Sequence, residues 1–278
     1  MSAVVDDAPD ATPHSGIDTS VPHSARIWNY WLGGKDNCEA DRVAGDAWVA
    51  TAPEIRDIAR ASRQFLARAV RHLVEQEGVR QFLDVGTGLP TAENTHEVAQ
   101  RHAPDARIVY VDHDPMVLAH ARALLSSTPE GVTHYVDADM DDTAKIIVEA
   151  GDILDLGRPV ALLFMGVLGH VADYDEARAL VRTLLDALPS GSFLVISDGS
   201  EAEAIREAEK DYAESGAIPY ANRSRAEVAG FFEGLEWVEP GLVNVNLWRP
   251  ASSTGVSALP GAQTPEPVNS FAGMARKP

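Results

Sequence analysis

The stretch Gln81-Phe-Leu-Asp84-Val-Gly86-Thr-Gly88-Leu-Pro90-Thr91 decides the fold. Its first five residues are a short apolar run of strand character that stops at Gly86, and a helical pattern follows over residues 91–102. Gly86 and Gly88 let the backbone turn tightly and lie against a ligand without a Cβ in the way. The same alternation then recurs along the chain. Strands are predicted over 107–111, 132–136, 160–165 and 192–196, and helices over 115–125, 141–150 and 173–188. Residues 160–165 are almost uniformly apolar, the mark of a parallel strand buried on both faces. Strand, helix, strand in regular succession builds a parallel sheet with right-handed crossovers. Residues 236–239 and 243–248 flank a Pro240-Gly241 turn and read as a hairpin, so the expected class is α/β, mostly parallel, with a C-terminal antiparallel hairpin.

Outward from this core, residues 53–76 form a long amphipathic pattern and residues 40–50 a short one. Before them Trp28, Tyr30 and Trp31 lead into the polar turn Gly33-Gly34-Lys35-Asp36-Asn37. Residues 1–24 carry four aspartates, three prolines and no Lys or Arg, which reads as an unordered acidic arm. Residues 251–278 are rich in Ser, Gly and Pro and read as a tail. The expected division is therefore arm 1–24, helical lid 25–78, ligand-binding domain 79–250 and tail 251–278.

Of 278 residues, 23 are Lys or Arg and 42 are Asp or Glu, a formal net charge of −19. Such a balance argues against nucleic acid or an anionic membrane as partner, because a basic face supplies most of that affinity. The single cysteine, Cys38, excludes a disulfide framework and a multi-cysteine zinc site. With neither a signal-peptide pattern after Met1 nor an apolar stretch of about 18 residues, a cytoplasmic address is expected.

Open α/β sheets bind ligands at the carboxyl ends of their strands. Asp112 lies at such an end, 24 residues after Gly88, near the roughly 20-residue spacing at which an acid takes ribose hydroxyls. Thr91 stands where a dinucleotide fingerprint requires a third glycine, which disfavours a nicotinamide dehydrogenase. Asp114 is placed to cap the helix opening at Pro115, and Met116 offers an apolar edge to a flat ring. After the third strand, Asp139 is suited to accept from an exocyclic amino group, with Met140 packing on the ring face. Asp141 and Asp142 favour the following helix N-terminus. The run has neither a neighbouring His nor the spacing of a calcium loop, so no metal is expected.

In order, Asp84-x-Gly86-x-Gly88, Asp112 and Asp139 resemble the class I S-adenosylmethionine-dependent methyltransferases over about residues 81–248. Two further stretches, Pro22-His23-Ser-Ala-Arg26-Ile-Trp-Asn29-Tyr30-Trp-Leu-Gly33-Gly34-Lys35-Asp36-Asn37 with Asp41-Arg42, and Arg56-Asp-Ile-Ala-Arg60-Ala-Ser-Arg63, resemble an actinomycete S-adenosyl methyltransferase family long filed as a domain of unknown function. The resemblance implies a Rossmann-like methyltransferase sheet, S-adenosyl-L-methionine as cofactor and methyl transfer to an acceptor taken to be a small molecule. The cofactor-binding candidates are Asp84, Gly86, Gly88, Asp112, His113, Met116, Asp139, Met140 and Phe164, joined from upstream by Tyr30, Arg60 and Arg63. One of the two arginines would hold the methionine carboxylate, and a solvated helix face is the alternative. The aromatics at 28, 30 and 31 suit a lid that walls the sulfonium, or else they pack a helix on the core.

Transfer from a sulfonium expels a neutral thioether, so the leaving group needs no acid and positioning does most of the work. A base is needed only for an acceptor that is a weak acid. His23, Tyr30, Asp36 and His170 are the candidates, with loop stabilisation as the other role for His170. The loop 216–223 is a candidate wall of the acceptor site. A sensor that binds the cofactor without turnover is the alternative to an enzyme, and the sequence sets no oligomeric state.

Overall fold

A computed structural model of the chain describes residues 18–124, 126–214, 216–250 and 266–278. Strands β1 (Gln81–Val85), β2 (Arg107–Asp112), β3 (Val132–Asp137), β4 (Ala161–Met165) and β5 (Phe193–Gly199) run parallel to their neighbours in one sheet. Three more strands close it: β6 (Glu236–Trp237), β7 (Val243–Asn244) and β8 (Ser270–Arg276). The order is β3-β2-β1-β4-β5-β8-β6, with β7 also on β8. From β1 the chain works outward through β2 to β3, then returns to lay β4 and β5 on the other side of β1. The gap at the carboxyl ends of β1 and β4 is therefore the topological switch point.

The antiparallel end of the sheet differs from the expected hairpin. Strands β6 and β7 do not pair with each other. Both pair antiparallel with β8, which also pairs antiparallel with β5 from Phe193↔Arg276 to Gly199↔Ser270. Seven residues of the expected tail, 270–276, thus form an interior strand of the sheet, and residues 251–265 lie outside the described residues. A similar correction applies at the other end. Residues 1–17 of the expected arm lie outside the described residues, while Arg26 ties down the segment from Asp18 by donating to the carbonyls of Asp18 and Val21.

Helices cover both faces because alternate side chains of each strand point to opposite sides. Leu83, Val85, Leu162 and Phe164 pack with α6 (Thr143–Gly151), α7 (Tyr174–Asp186) and α9 (Arg225–Gly230). Phe82, Ile108, Leu163 and Val195 pack with α3 (Ile55–Glu75) and α4 (Thr95–His102). Asp173 caps α7 by accepting from the Glu176 N–H at 2.9 Å, and Ser224 and Glu227 form a capping box at α9. Helix α4 starts four residues later than the sequence pattern predicts. Glu93 is left-handed, with φ 60°, and Asn94 caps the helix in a box with Glu97.

A third apolar cluster sits above the sheet's carboxyl edge. It joins α1 (Ser24–Trp31), α2 (Glu39–Thr51), the start of α3, and α8 (Glu203–Glu214), a helix the sequence reading did not pick out. Its polar keystone is a buried ion pair, Arg26 Nε to Asp41 Oδ2 at 2.9 Å. Asp41 also accepts from the backbone N–H of His23 at 2.9 Å and of Cys38 at 2.7 Å, so it binds the ends of α1 and α2 together. Among the described residues no helix is long and apolar enough to cross a membrane.

Candidate active site

A cavity of about 1050 Å³ opens at the carboxyl ends of β1, β2, β4 and β5, beneath α1. Its floor is the glycine turn. Gly86 has φ 71° and Gly88 φ 65°, and a Cβ at Gly86 would stand 2.2 Å from Val167 Cγ2, so only glycine admits the loop after β4 this close. A Cβ at Gly88 would lie 4.0 Å from that of Ala25, which places α1 directly over the turn.

Three carboxylates line this end of the cavity. Asp112 clasps the turn: Oδ2 accepts from Gly88 N–H at 2.8 Å and Oδ1 from Asp114 N–H at 3.0 Å. Burial raises its carboxyl above the usual range, and these two bonds oppose the shift. Asp84 is 2% exposed and accepts from the Thr95 hydroxyl at 2.6 Å, at the N-terminus of α4. Burial pushes its pKa up to about 6, against the pull of that hydrogen bond and of Arg63. Asp139 is exposed, with His113 Nδ1 at 3.7 Å from its Oδ2.

Arg63 reaches the cavity from α3 and makes neither a hydrogen bond nor an ion pair among the described residues. Asp84 is the first charge acting on it, against burial that lowers its pKa. A half-buried guanidinium with all five donors uncommitted has the chemistry to accept a carboxylate in two-pronged fashion.

The structure brings His23, Arg63, Asp84, Gly86, Gly88, Asp112, His113, Asp139, Met140 and His170 to one cavity. Other sequence candidates are not among its lining residues. Arg60 is exposed and paired with Asp57 at 3.2 Å, because it points one helical step away from Arg63. Phe164 is turned into the core by strand alternation, and Met165, on the opposite face, reaches the cavity instead. Met116 sits in the first turn of α5 (Pro115–Leu124), where its N–H bonds the capping Asp114, and does not reach the site. Tyr30 donates to Asp46 at 2.8 Å, which raises its pKa, the wrong direction for a base. Asp36 faces His120 Nε2 at 3.2 Å outside the cavity.

Two of the base candidates remain at the cavity. His23 Nδ1 lies 2.9 Å from Asp114 Oδ2. His170 lies in a short 3₁₀ turn after β4, and its Nδ1 is 3.2 Å from the Pro219 carbonyl. A carbonyl only accepts, so Nδ1 carries the proton and Nε2 keeps its lone pair. Burial lowers the His170 pKa, which keeps the ring neutral.

Sequence reasoning passed over Asp198 at the carboxyl end of β5. It is 1% exposed, accepts from the Tyr220 hydroxyl and faces Arg223 Nη1 at 3.4 Å. Burial raises its pKa. The rule that selected Asp112, an acid ending an apolar strand, also selects Asp198. Ser62 and Ser197 share a hydrogen bond at 3.1 Å beside it, and Ile218, Tyr220 and Asn222 of the 216–223 loop line the cavity.

The sequence matches the family described as S-adenosyl methyltransferase over residues 10–278. Two solved structures are similar across nearly the whole chain. One is a DUF574 family protein from Streptomyces avermitilis MA-4680, with 46% identity, TM-score 0.86, and coverage of 94% of this chain and 99% of that one. The other is a candidate methyltransferase from Thermobifida fusca YX, with 37% identity, TM-score 0.85, and coverage of 96% and 99%. No curated protein matches.

Proposed function

The chain belongs to the S-adenosyl methyltransferase family, and from that premise we propose that its cavity holds S-adenosylmethionine along the β1–β2 edge and methylates a small molecule above it. The observation that carries the placement is the uncommitted Arg63 facing buried Asp84, with Asp112 at the end of the neighbouring strand. In this reading Arg63 holds the methionine carboxylate, Asp84 the ammonium and Asp112 the ribose hydroxyls. Asp139 takes the adenine amino group, with Met140 against the ring. When bound, the cofactor supplies a methyl group made electrophilic by the sulfonium.

The chain's own part is to position, to exclude water and to take a proton. Helix α1 covers the glycine turn and brings Trp28 to the cavity, where its ring suits a sulfonium by about 0.5–2 kcal/mol. Where the acceptor is a hydroxyl, its oxygen would take the methyl carbon as the thioether left with the carbon–sulfur electron pair, so the hydroxyl must give up its proton. Its proton passes to Nε2 of His170, the lone pair left free by the Pro219 carbonyl. The excess of acid argues for a partner other than nucleic acid or an anionic membrane, and Cys38 as the single cysteine fits a cytoplasmic setting.

Calorimetric titration with S-adenosylhomocysteine tests the placement. The expected result is binding that weakens about 10- to 100-fold in Asp112→Ala, the loss of charged hydrogen bonds worth roughly 1.5–3 kcal/mol. A folded protein that takes up neither S-adenosylmethionine nor this product contradicts it.

A further inference from the structure

We propose that the methyl acceptor is a cationic or uncharged aromatic small molecule, bound in the upper part of the cavity that α1, α2, the start of α3 and α8 enclose. This rests on the methyltransferase reading, and it goes further by assigning the second ligand its own ground and its charge.

The cavity has room for a second ligand. Pockets that enclose one small ligand run to roughly 300–1000 Å³, and this cavity, at about 1050 Å³, stands at the top of that range. Its lining also falls into two groups. One is the polar edge of β1 and β2, with Asp84, Asp112 and Asp139. The other group is Trp31, Trp48, Ile55, Ile58, Ile205 and Tyr212, all members of the third apolar cluster. Trp31 and Trp48 meet edge to face at 5.7 Å, and Trp48 and Tyr212 at 5.2 Å. Such rings form a rigid wall that suits a flat apolar body, and their electron-rich faces attract a cation. The indole N–H of Trp48 is buried without an acceptor among the described residues, so the wall also holds an unmet donor.

The charges that line the cavity point to the same occupant independently of its volume. Among the described residues Arg63 is the only Lys or Arg that lines the cavity, and the cofactor carboxylate claims it. Asp139, Asp141, Asp173 and Glu176 line the mouth and are exposed, whereas Asp198 at the β5 end is already paired with Arg223 and adds nothing to this balance. The histidines at the mouth add no free cation to meet an anion: His23 and His113 each face an acid, and His170 is kept neutral. An acceptor bearing a carboxylate or phosphate would meet these acids with no counter-charge, whereas an amine is drawn through the mouth by the same field.

The test uses the full-length protein saturated with S-adenosylhomocysteine and three phenols of one shape: tyramine, 4-ethylphenol and 4-hydroxyphenylacetate. Binding is read by saturation-transfer NMR and calorimetry. Tyramine and 4-ethylphenol are expected to bind at least about tenfold more tightly than 4-hydroxyphenylacetate, the scale of one screened charge contact. Trp48→Ala is expected to remove binding of all three while S-adenosylhomocysteine stays bound. Glu176→Lys, at an exposed position, is expected to narrow the preference several-fold. The proposal is overturned if 4-hydroxyphenylacetate binds as tightly as tyramine, or if none of the three binds the loaded protein. It is equally overturned if a folded Trp48→Ala binds as before, or if Glu176→Lys leaves the preference unchanged. Failure to load S-adenosylhomocysteine at all would instead count against the methyltransferase placement.

Discussion

Asp84 answers to two opposed demands. Burial makes its charge costly, and the ammonium proposed beside it requires that charge. Because its folded pKa, about 6, stands above the usual 3.8, the group favours the folded state at low pH. That contribution is complete below about pH 4 and is lost as pH rises through 6. Cofactor binding has the opposite sign, since it needs the ionised form. Affinity for S-adenosylmethionine should therefore hold above pH 6 and fall below it, approaching about tenfold per pH unit. The thermal shift the cofactor produces should be larger at pH 7.5 than at pH 5, and Asp84→Asn should flatten the difference. Gly86→Ala is a second residue-scale case. It places a methyl 2.2 Å from Val167 at φ 71°, so cofactor binding and melting temperature should both drop. Both residues were legible in the sequence because a strand end and a tight turn are local properties. Arg63 over Arg60, and Met165 over Phe164, were not. Those choices depend on the rotation of α3 and the phase of β4 against neighbours far along the chain.

At the scale of elements, the helical cover hangs on one buried pair. Breaking such a pair leaves a charge unpaired inside the protein at a cost of about 3–5 kcal/mol. Asp41→Ala should lower unfolding free energy by that order in denaturant titration, since Arg26 would lose its partner and the N–H groups of His23 and Cys38 their acceptor. Removing residues 266–278 should be worse. Strand β8 separates β5 from β6 and β7, so its loss exposes one edge of the parallel sheet and strands two short segments. Such a truncation is expected to be insoluble or unfolded by circular dichroism. Strands β1 to β5 could be read from their apolar runs. Strand β8 could not, because four of the seven residues of Ser270-Phe-Ala-Gly-Met-Ala-Arg276 are Ser, Ala or Gly. A Cβ at Gly273 would come within 3.0 Å of Trp237 Cζ3, so the smallness answers to packing that no local pattern reveals.

Over the whole molecule, the net charge of −19 argues against polyanionic partners without saying what the acids do. The fold gives some of them a place: Asp84 and Asp112 at the floor of one cavity, Asp139, Asp141, Asp173 and Glu176 at its mouth. Others are structural, as Asp41 is under α1 and Asp198 is between Tyr220 and Arg223. The central claim is that one end of this cavity grips S-adenosylmethionine by its two polar ends and leaves the other end for the acceptor. A crystal structure of the protein with S-adenosylhomocysteine tests it most directly. The account predicts the ribose hydroxyls on Asp112 and the amino-acid carboxylate on Arg63, with the space beside Trp48 left open. Density for the ligand elsewhere, or a carboxylate that does not touch Arg63, would contradict it.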